Sequence, residues 1–193
     1  MTRAAKTRAA LWVGLLVGCG FIAAILQLPF VNWYPVVPPV DARPLTVRKD
    51  AGGDGRFFAP RSGHRHHRGL DLVAELDSPV RAIRSGAVAT VALHHGLGRY
   101  VEIDHRQGLR SVYAHLNRVD VAVGQRVSQG AIIGTVGKTG NARRAWITPH
   151  LHLEILRDGQ PVDPQTLGLQ VAGPPVPGVL ASPEPLMDDS GEE

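Results

Sequence analysis

"TPHLHLEI" (148–155) alternates polar and apolar side chains with a period of two. As a strand it puts His150, His152 and Glu154 on one face and Leu151, Leu153 and Ile155 on the other. The apolar trio is a core-facing side, so the histidines are expected to point towards a cleft or solvent. "AVATVAL" (87–93), "RYVEID" (99–104), "LRSVYAHL" (109–116) and "HLHLEIL" (150–156) are likewise β-branched or alternating and are bounded by turn residues. No amphipathic helix of useful length interrupts them. Short strands separated by glycine predict an all-β barrel or sandwich spanning about residues 56–166.

The 193 residues suit one domain plus extensions. A single cysteine, Cys19, excludes an intramolecular disulfide, so packing or metal must hold the fold. The net charge of +4 is uneven: Arg3, Lys6 and Arg8 crowd the N-terminal stretch 1–8, whereas Glu184, Asp188, Asp189, Glu192 and Glu193 make the end acidic. The middle is therefore more basic than the total, which favours an anionic partner.

Between Ala9 and Phe30 the 22 residues carry no charge, against about 20 needed to cross a bilayer as a helix. The preceding cations keep the N-terminus cytoplasmic. The run is long for a cleaved signal peptide. "LVGC" (16–19) resembles a lipoprotein signal, but "GFIAAIL" continues the apolar run after Cys19. The expectation is an uncleaved single-pass anchor, and all three readings put the rest of the chain on the periplasmic or extracellular side. A Pro/Gly-rich linker is expected at 31–55, where "PVVPPVDARP" (35–44) would form a stiff spacer. A disordered proline-rich, acidic tail is expected at 167–193.

An H-x-H pair alone is a weak signal, more often hydrogen-bonded than metal-bound. The combination carries more weight. In "HRHHRGLD" (64–71), His67 and Asp71 offer a nitrogen and a carboxylate four residues apart. With one histidine of the 150–152 pair they make a His₂Asp set, and catalytic zinc keeps three such ligands and one open position. Hydrolysis also needs a proton acceptor and donors facing the developing oxyanion. His115 in "VYAHL" (112–116) and the unused histidine of the pair are candidates.

"HRGLD" (67–71), "SPVRAIRSGAV" (78–88), "YAHL" (113–116), "GQRVSQGAIIGTVGKTG" (124–140) and "PHLHLE" (149–154) occur in this order. Together they resemble the M23 family of zinc metallopeptidases, the lysostaphin-like or LytM-type endopeptidases of bacterial cell walls, over about residues 57–164. The resemblance implies an antiparallel fold related to the barrel-sandwich of lipoyl domains, one zinc ion per domain, and a groove for peptidoglycan peptides. It makes His67, Asp71 and His152 the zinc ligands, and His115 and His150 the catalytic pair. It implies no organic cofactor. Two departures are visible. Asp77 and Ser78 stand before the "PV" where the family has a glycine-threonine pair. "NARRAWITP" (141–149) is a longer loop beside the groove, in which Arg143 and Arg144 are expected to meet substrate carboxylates.

Three other readings are weaker. A non-catalytic relative that activates wall amidases would typically lack some of the five site residues, and all five are filled here. A lipoyl or biotin carrier needs a lysine at a hairpin tip, a context Lys138 lacks. The expected export and the lack of an aromatic-basic binding surface argue against a nucleic-acid role. His64 and His66 at the groove rim, His94 and His95 at a hairpin tip, and His105 after a strand are expected to be solvated. Glu154 is either a partner of a ligand imidazole or a surface acid.

Overall fold

The computed structural model describes Asn32 and residues 34–172. The expected anchor at 9–30, the basic stretch at 1–8 and the part of the expected tail beyond 172 lie outside the described residues. Among the described residues, no helix is long and apolar enough to cross a membrane.

Two short hairpins come first, β1 (Lys49–Asp50) with β2 (Gly53–Asp54) and β3 (Pro60–Arg61) with β4 (Arg65–His66). The main sheet follows as β5 (Gly69–Val73), β6 (Pro79–Arg81), β7 (Gly86–His94), β8 (Gly98–Asp104), β9 (Leu109–Val119) and β10 (Arg126–Val127). It continues with β11 (Ile132–Val136), β12 (His150–Arg157) and β13 (Gln160–Val162). These strands pair antiparallel, and only short 3₁₀ turns at Gly140–Arg143 and Pro164–Leu167 are helical among the described residues. The all-β, antiparallel expectation matches this architecture.

The opening stretch is β12, which lies between β5 and β9. Leu151 pairs with Leu72 and Leu153 with Leu70, so the apolar faces of two strands merge in one layer. These leucines and Ile155 are fully buried, each burial contributing roughly 1.5–3 kcal/mol. The opposite face is also covered: His150, His152 and Glu154 are 2%, 6% and 8% exposed. The histidines therefore face an enclosed site rather than solvent.

The segment expected as a linker does not hang free where it is described. Val40 and Leu45 join the core. Residues 46–48 run antiparallel along the outer edge of β5, with the Val73 amide donating to the Thr46 carbonyl and the Arg48 amide to the Asp71 carbonyl. The physical cause is the edge itself, whose amides and carbonyls need partners when buried. The start of the expected tail packs too, since Leu169 is buried and the Ala172 amide donates to the Leu45 carbonyl.

His105 also departs from expectation. Its Nδ1–H donates to the Ser85 carbonyl (3.0 Å), and its Nε2 lies 2.7 Å from Ser111 Oγ. The Ser111 and Tyr113 hydroxyls are hydrogen-bonded at 3.0 Å, and Tyr113 accepts the Ile83 amide at 2.8 Å. Burial lowers the His105 pKa from its ordinary 6.5 and pushes Tyr113 up to about 12. A folded-state value below the unfolded one means that the unfolded chain binds more protons under acid conditions. Stability is then retained above about pH 6.5 and lost as pH falls below it. Urea unfolding at about pH 7.5 and about pH 5 should show a smaller acid loss for His105→Gln than for wild type. Equal losses would remove this account of the network.

Candidate metal centre and active site

Strand register brings the first two donors together. His152 of β12 stands directly opposite Asp71 of β5, so both side chains project from the same face. His67 lies just before β5, held by backbone hydrogen bonds in both directions with residues 58 and 59. His152 Nδ1 is 2.7 Å from Asp71 Oδ1, His67 Nε2 is 3.1 Å from the same oxygen, and the two nitrogens are 3.0 Å apart.

The chemistry of these donors asks for a cation. The His67 Nδ1–H donates to the Arg56 carbonyl at 2.8 Å, leaving Nε2 as a lone pair in the neutral ring. His152 Nε2 faces the Glu154 carboxylate at 3.1 Å, an acceptor, so this nitrogen carries a proton and Nδ1 has the lone pair. Two lone pairs and a carboxylate oxygen thus converge on one point. Tetrahedral zinc with bonds of about 2.0–2.1 Å places ligand atoms about 3.3 Å apart, close to this triangle. Glu154 is thereby the hydrogen-bonding partner of His152 rather than a surface acid.

The local field agrees. Burial disfavours a charged His152, but the Asp71 and Glu154 carboxylates overcome it and push the ring up to about 9. Burial would raise Asp71 as well, yet the imidazoles of His152 and His67 hold its carboxyl well below the ordinary 3.8. The pocket thus favours positive charge between its carboxylates.

His115 reaches the site by a backbone irregularity. Ala114 pairs with His152, so regular alternation would turn His115 to the opposite face. His115 instead has φ +64°, left-handed and costly for a residue with a side chain. At this point β9 changes neighbours, with residues 109–114 pairing with β12 and 116–119 with β11. The distortion swings the ring to 5.0 Å from His150 and 5.7 Å from His152, centroid to centroid. Its Nδ1–H donates to the Thr139 carbonyl at 3.0 Å, and the His150 Nδ1–H to the Thr148 carbonyl at 2.7 Å. Each ring therefore has Nε2 as its free acceptor, and that of His150 lies 3.8 Å from Asp71 Oδ1. Burial keeps both neutral, lowering His150 and taking His115 to about 3 with help from the neighbouring imidazoles.

All five expected site residues therefore meet in one place. The loop arginines do not: Arg143 and Arg144 are exposed, and Arg144 lies over the Trp146 ring at 5.4 Å. Trp146 is 58% exposed, so it does not fill the core. His64, His66, His94 and His95 are exposed as expected, although His66 stacks on Phe58 at 4.0 Å. Arg48 joins the site from the segment expected as a linker. It is 4% exposed and donates to Asp71 Oδ2 from Nη2 at 2.8 Å and from Nε at 3.3 Å. Only the brief "LTV" before it hinted that this stretch was a strand rather than spacer.

Gly69 sets how closely β5 approaches. A Cβ there would stand 2.3 Å from the Leu153 carbonyl oxygen, which is backbone and cannot yield without moving a strand. Gly69→Ala should destabilise the fold by roughly 1–3 kcal/mol and weaken metal binding by separating Asp71 from His152. Urea denaturation and zinc titration check both effects, and wild-type values in both would contradict the register argument.

An antiparallel β fold with a His₂Asp donor set and two further imidazoles beside it is the kind of site that metal-dependent hydrolases use. The chain belongs to peptidase family M23, whose model matches residues 65–164. It is 38% identical to the peptidoglycan DD-endopeptidase ShyC of Vibrio cholerae over 131 residues, which are 67% of this chain and 29% of that protein. The structure resembles a zinc-containing peptidase from Vibrio cholerae with TM-score 0.53 and 31% identity, covering 64% of this chain and 37% of that one. It also resembles the catalytic domain of lysostaphin from Staphylococcus simulans with TM-score 0.52 and 30% identity, covering 60% and 90%. The matched region is 29% of ShyC and 23% of the DD-carboxypeptidase/endopeptidase Mpg of Neisseria meningitidis, so the chain spans less than a third of either relative.

Proposed function

We propose that this protein is a zinc-dependent endopeptidase that hydrolyses peptide cross-links of bacterial peptidoglycan. In this reading it is held by its 9–30 segment at the cytoplasmic membrane, with the M23 domain on the periplasmic or extracellular side. The observation that carries the reading is the convergence of the His67, Asp71 and His152 donor atoms within 4.8 Å, beside two neutral imidazoles with free Nε2 atoms. The support for membrane attachment is the uncharged 22-residue run and the cations before it.

A zinc ion held by the three donors supplies Lewis acidity to a peptide carbonyl and lowers the pKa of a coordinated water towards 7. His150, anchored through Thr148, is the nearer base and takes the proton of the attacking water on Nε2. His115, anchored through Thr139, accepts a hydrogen bond from the attacking water on Nε2 and so orients it. Water adds to the carbonyl carbon, the C–N bond breaks, and the proton taken by the imidazole goes to the leaving amine. The backbone carbonyls that accept from both Nδ1–H groups hold the rings in the orientation this transfer needs. Arg143 and Arg144, exposed on the 141–149 loop, are assigned to carboxylates of the stem peptide.

Metal dependence tests the reading. Full-length protein incubated with purified sacculi should release soluble fragments, stop when zinc is chelated, and resume when zinc is restored. Digestion unaffected by chelation would overturn it.

A further inference from the structure

We propose that Arg48 and Asp50, which precede the family-matched region, are positioning residues joining the Asp71 ligand carboxylate to the His150 imidazole. The inference rests on the roles just assigned to Asp71 and His150.

The connection can be followed atom by atom. Arg48 grips Asp71 Oδ2 with Nη2 and Nε, leaving Oδ1 to face the His67 and His152 nitrogens. The third guanidinium nitrogen, Nη1, donates to Asp50 Oδ1. Asp50 Oδ2 accepts the Thr148 amide at 2.8 Å. The Thr148 carbonyl in turn accepts the His150 Nδ1–H at 2.7 Å. One hydrogen-bonded chain thus runs from the ligand that holds the metal to the imidazole assigned to move the proton.

The link is built rather than incidental. The side chains of Arg48 and Asp50 are 5% and 12% exposed, so little solvent reaches the contact between them. Gly55 permits the close approach, since a Cβ there would stand 2.7 Å from Asp71 Cβ and 2.9 Å from the Arg48 carbonyl oxygen. The guanidinium fork is needed because it bridges two carboxylates at once, which a lysine ammonium cannot do in the same geometry. Arg61 offers a second cation 3.9 Å from Asp71 Oδ2, but its Nη1 donates to the Pro60 carbonyl at 3.2 Å and it does not complete the chain.

The test uses full-length wild type, Arg48→Gln, Arg48→Lys, Asp50→Asn and the double variant Arg48→Gln/Asp50→Asn. Zinc affinity is read by chelator competition, kcat and KM by sacculus digestion, and folding by thermal melts. Arg48→Gln should weaken zinc about 10–100-fold, the range typical of groups that orient a metal ligand. Arg48→Lys should recover part of that loss. Asp50→Asn should lower kcat about tenfold with KM unchanged and a smaller effect on zinc. The double variant should lose less than the product of the single losses, because each cuts the same chain. If Arg48→Gln does not fold, Asp50→Asn decides, and an unchanged kcat there overturns the proposal. Wild type that binds zinc and digests sacculi, with every variant within about twofold of it, also overturns the proposal but not the assigned function. Wild type that does neither overturns the assignment itself.

Discussion

Alanine in place of Asp71 or His152 should strip the protein of zinc and reduce sacculus digestion by more than about 100-fold, the upper end of what changes around a metal ligand produce. Each residue offers one of three donor atoms packed within 2.7–3.1 Å of one another, so removing either leaves only two. Removing His152 also leaves Asp71 and Glu154 as buried carboxylates without the ring between them. Removing Asp71 leaves the Arg48 guanidinium without its main partner in a closed interior. Such losses cost stability as well as metal, so metal analysis is paired with thermal melts. The folded wild type should carry roughly one zinc ion per chain. A folded Asp71→Ala protein that keeps a full complement of zinc would show that the donor set has been misassigned.

Replacing His150 or His115 should separate chemistry from metal binding. Neither supplies a donor atom to the triangle, so zinc content should stay at the wild-type level. Loss of a positioned proton acceptor costs about 10²–10⁴ in rate, and kcat should fall by that factor. His115 allows a cleaner variant than alanine. Its left-handed backbone is more readily adopted by asparagine than by most residues. His115→Asn should therefore fold and bind zinc like wild type yet lose most of its activity. Wild-type kcat in this variant would remove His115 from the catalytic pair, whereas zinc loss in it would place the residue among the ligands.

The alternation in "TPHLHLEI" made the central strand and its two faces legible, because side-chain period follows directly from backbone geometry. The same rule applied to "VYAHL" would point His115 away from the other histidines. Its place in the site depends on a backbone distortion that alternation cannot reveal. The need for a proton acceptor made it a candidate, and the resemblance to M23 peptidases gave it a place in the site. In "HRHHRGLD" the offset from His67 to Asp71 was readable, while His64 and His66 stand aside because one sits in the turn of the β3–β4 hairpin and the other on exposed β4. Arg48 and Asp50 were illegible for a different cause. Their stretch is rich in proline, glycine and charge, and it is ordered by pairing with the edge of β5, a partner more than 20 residues away. His105 was misread on similar grounds, since its partners Ser85 and Ser111 lie on other segments of the chain.

Mass spectrometry of the products released from purified sacculi by the zinc-loaded, full-length protein tests the central claim most directly. The account predicts fragments with a new amine and a new carboxylate at a cross-linking peptide bond, with the glycan strands intact. A folded, zinc-loaded protein that leaves every cross-link uncut would contradict it, most sharply if the same protein stimulated an added wall amidase.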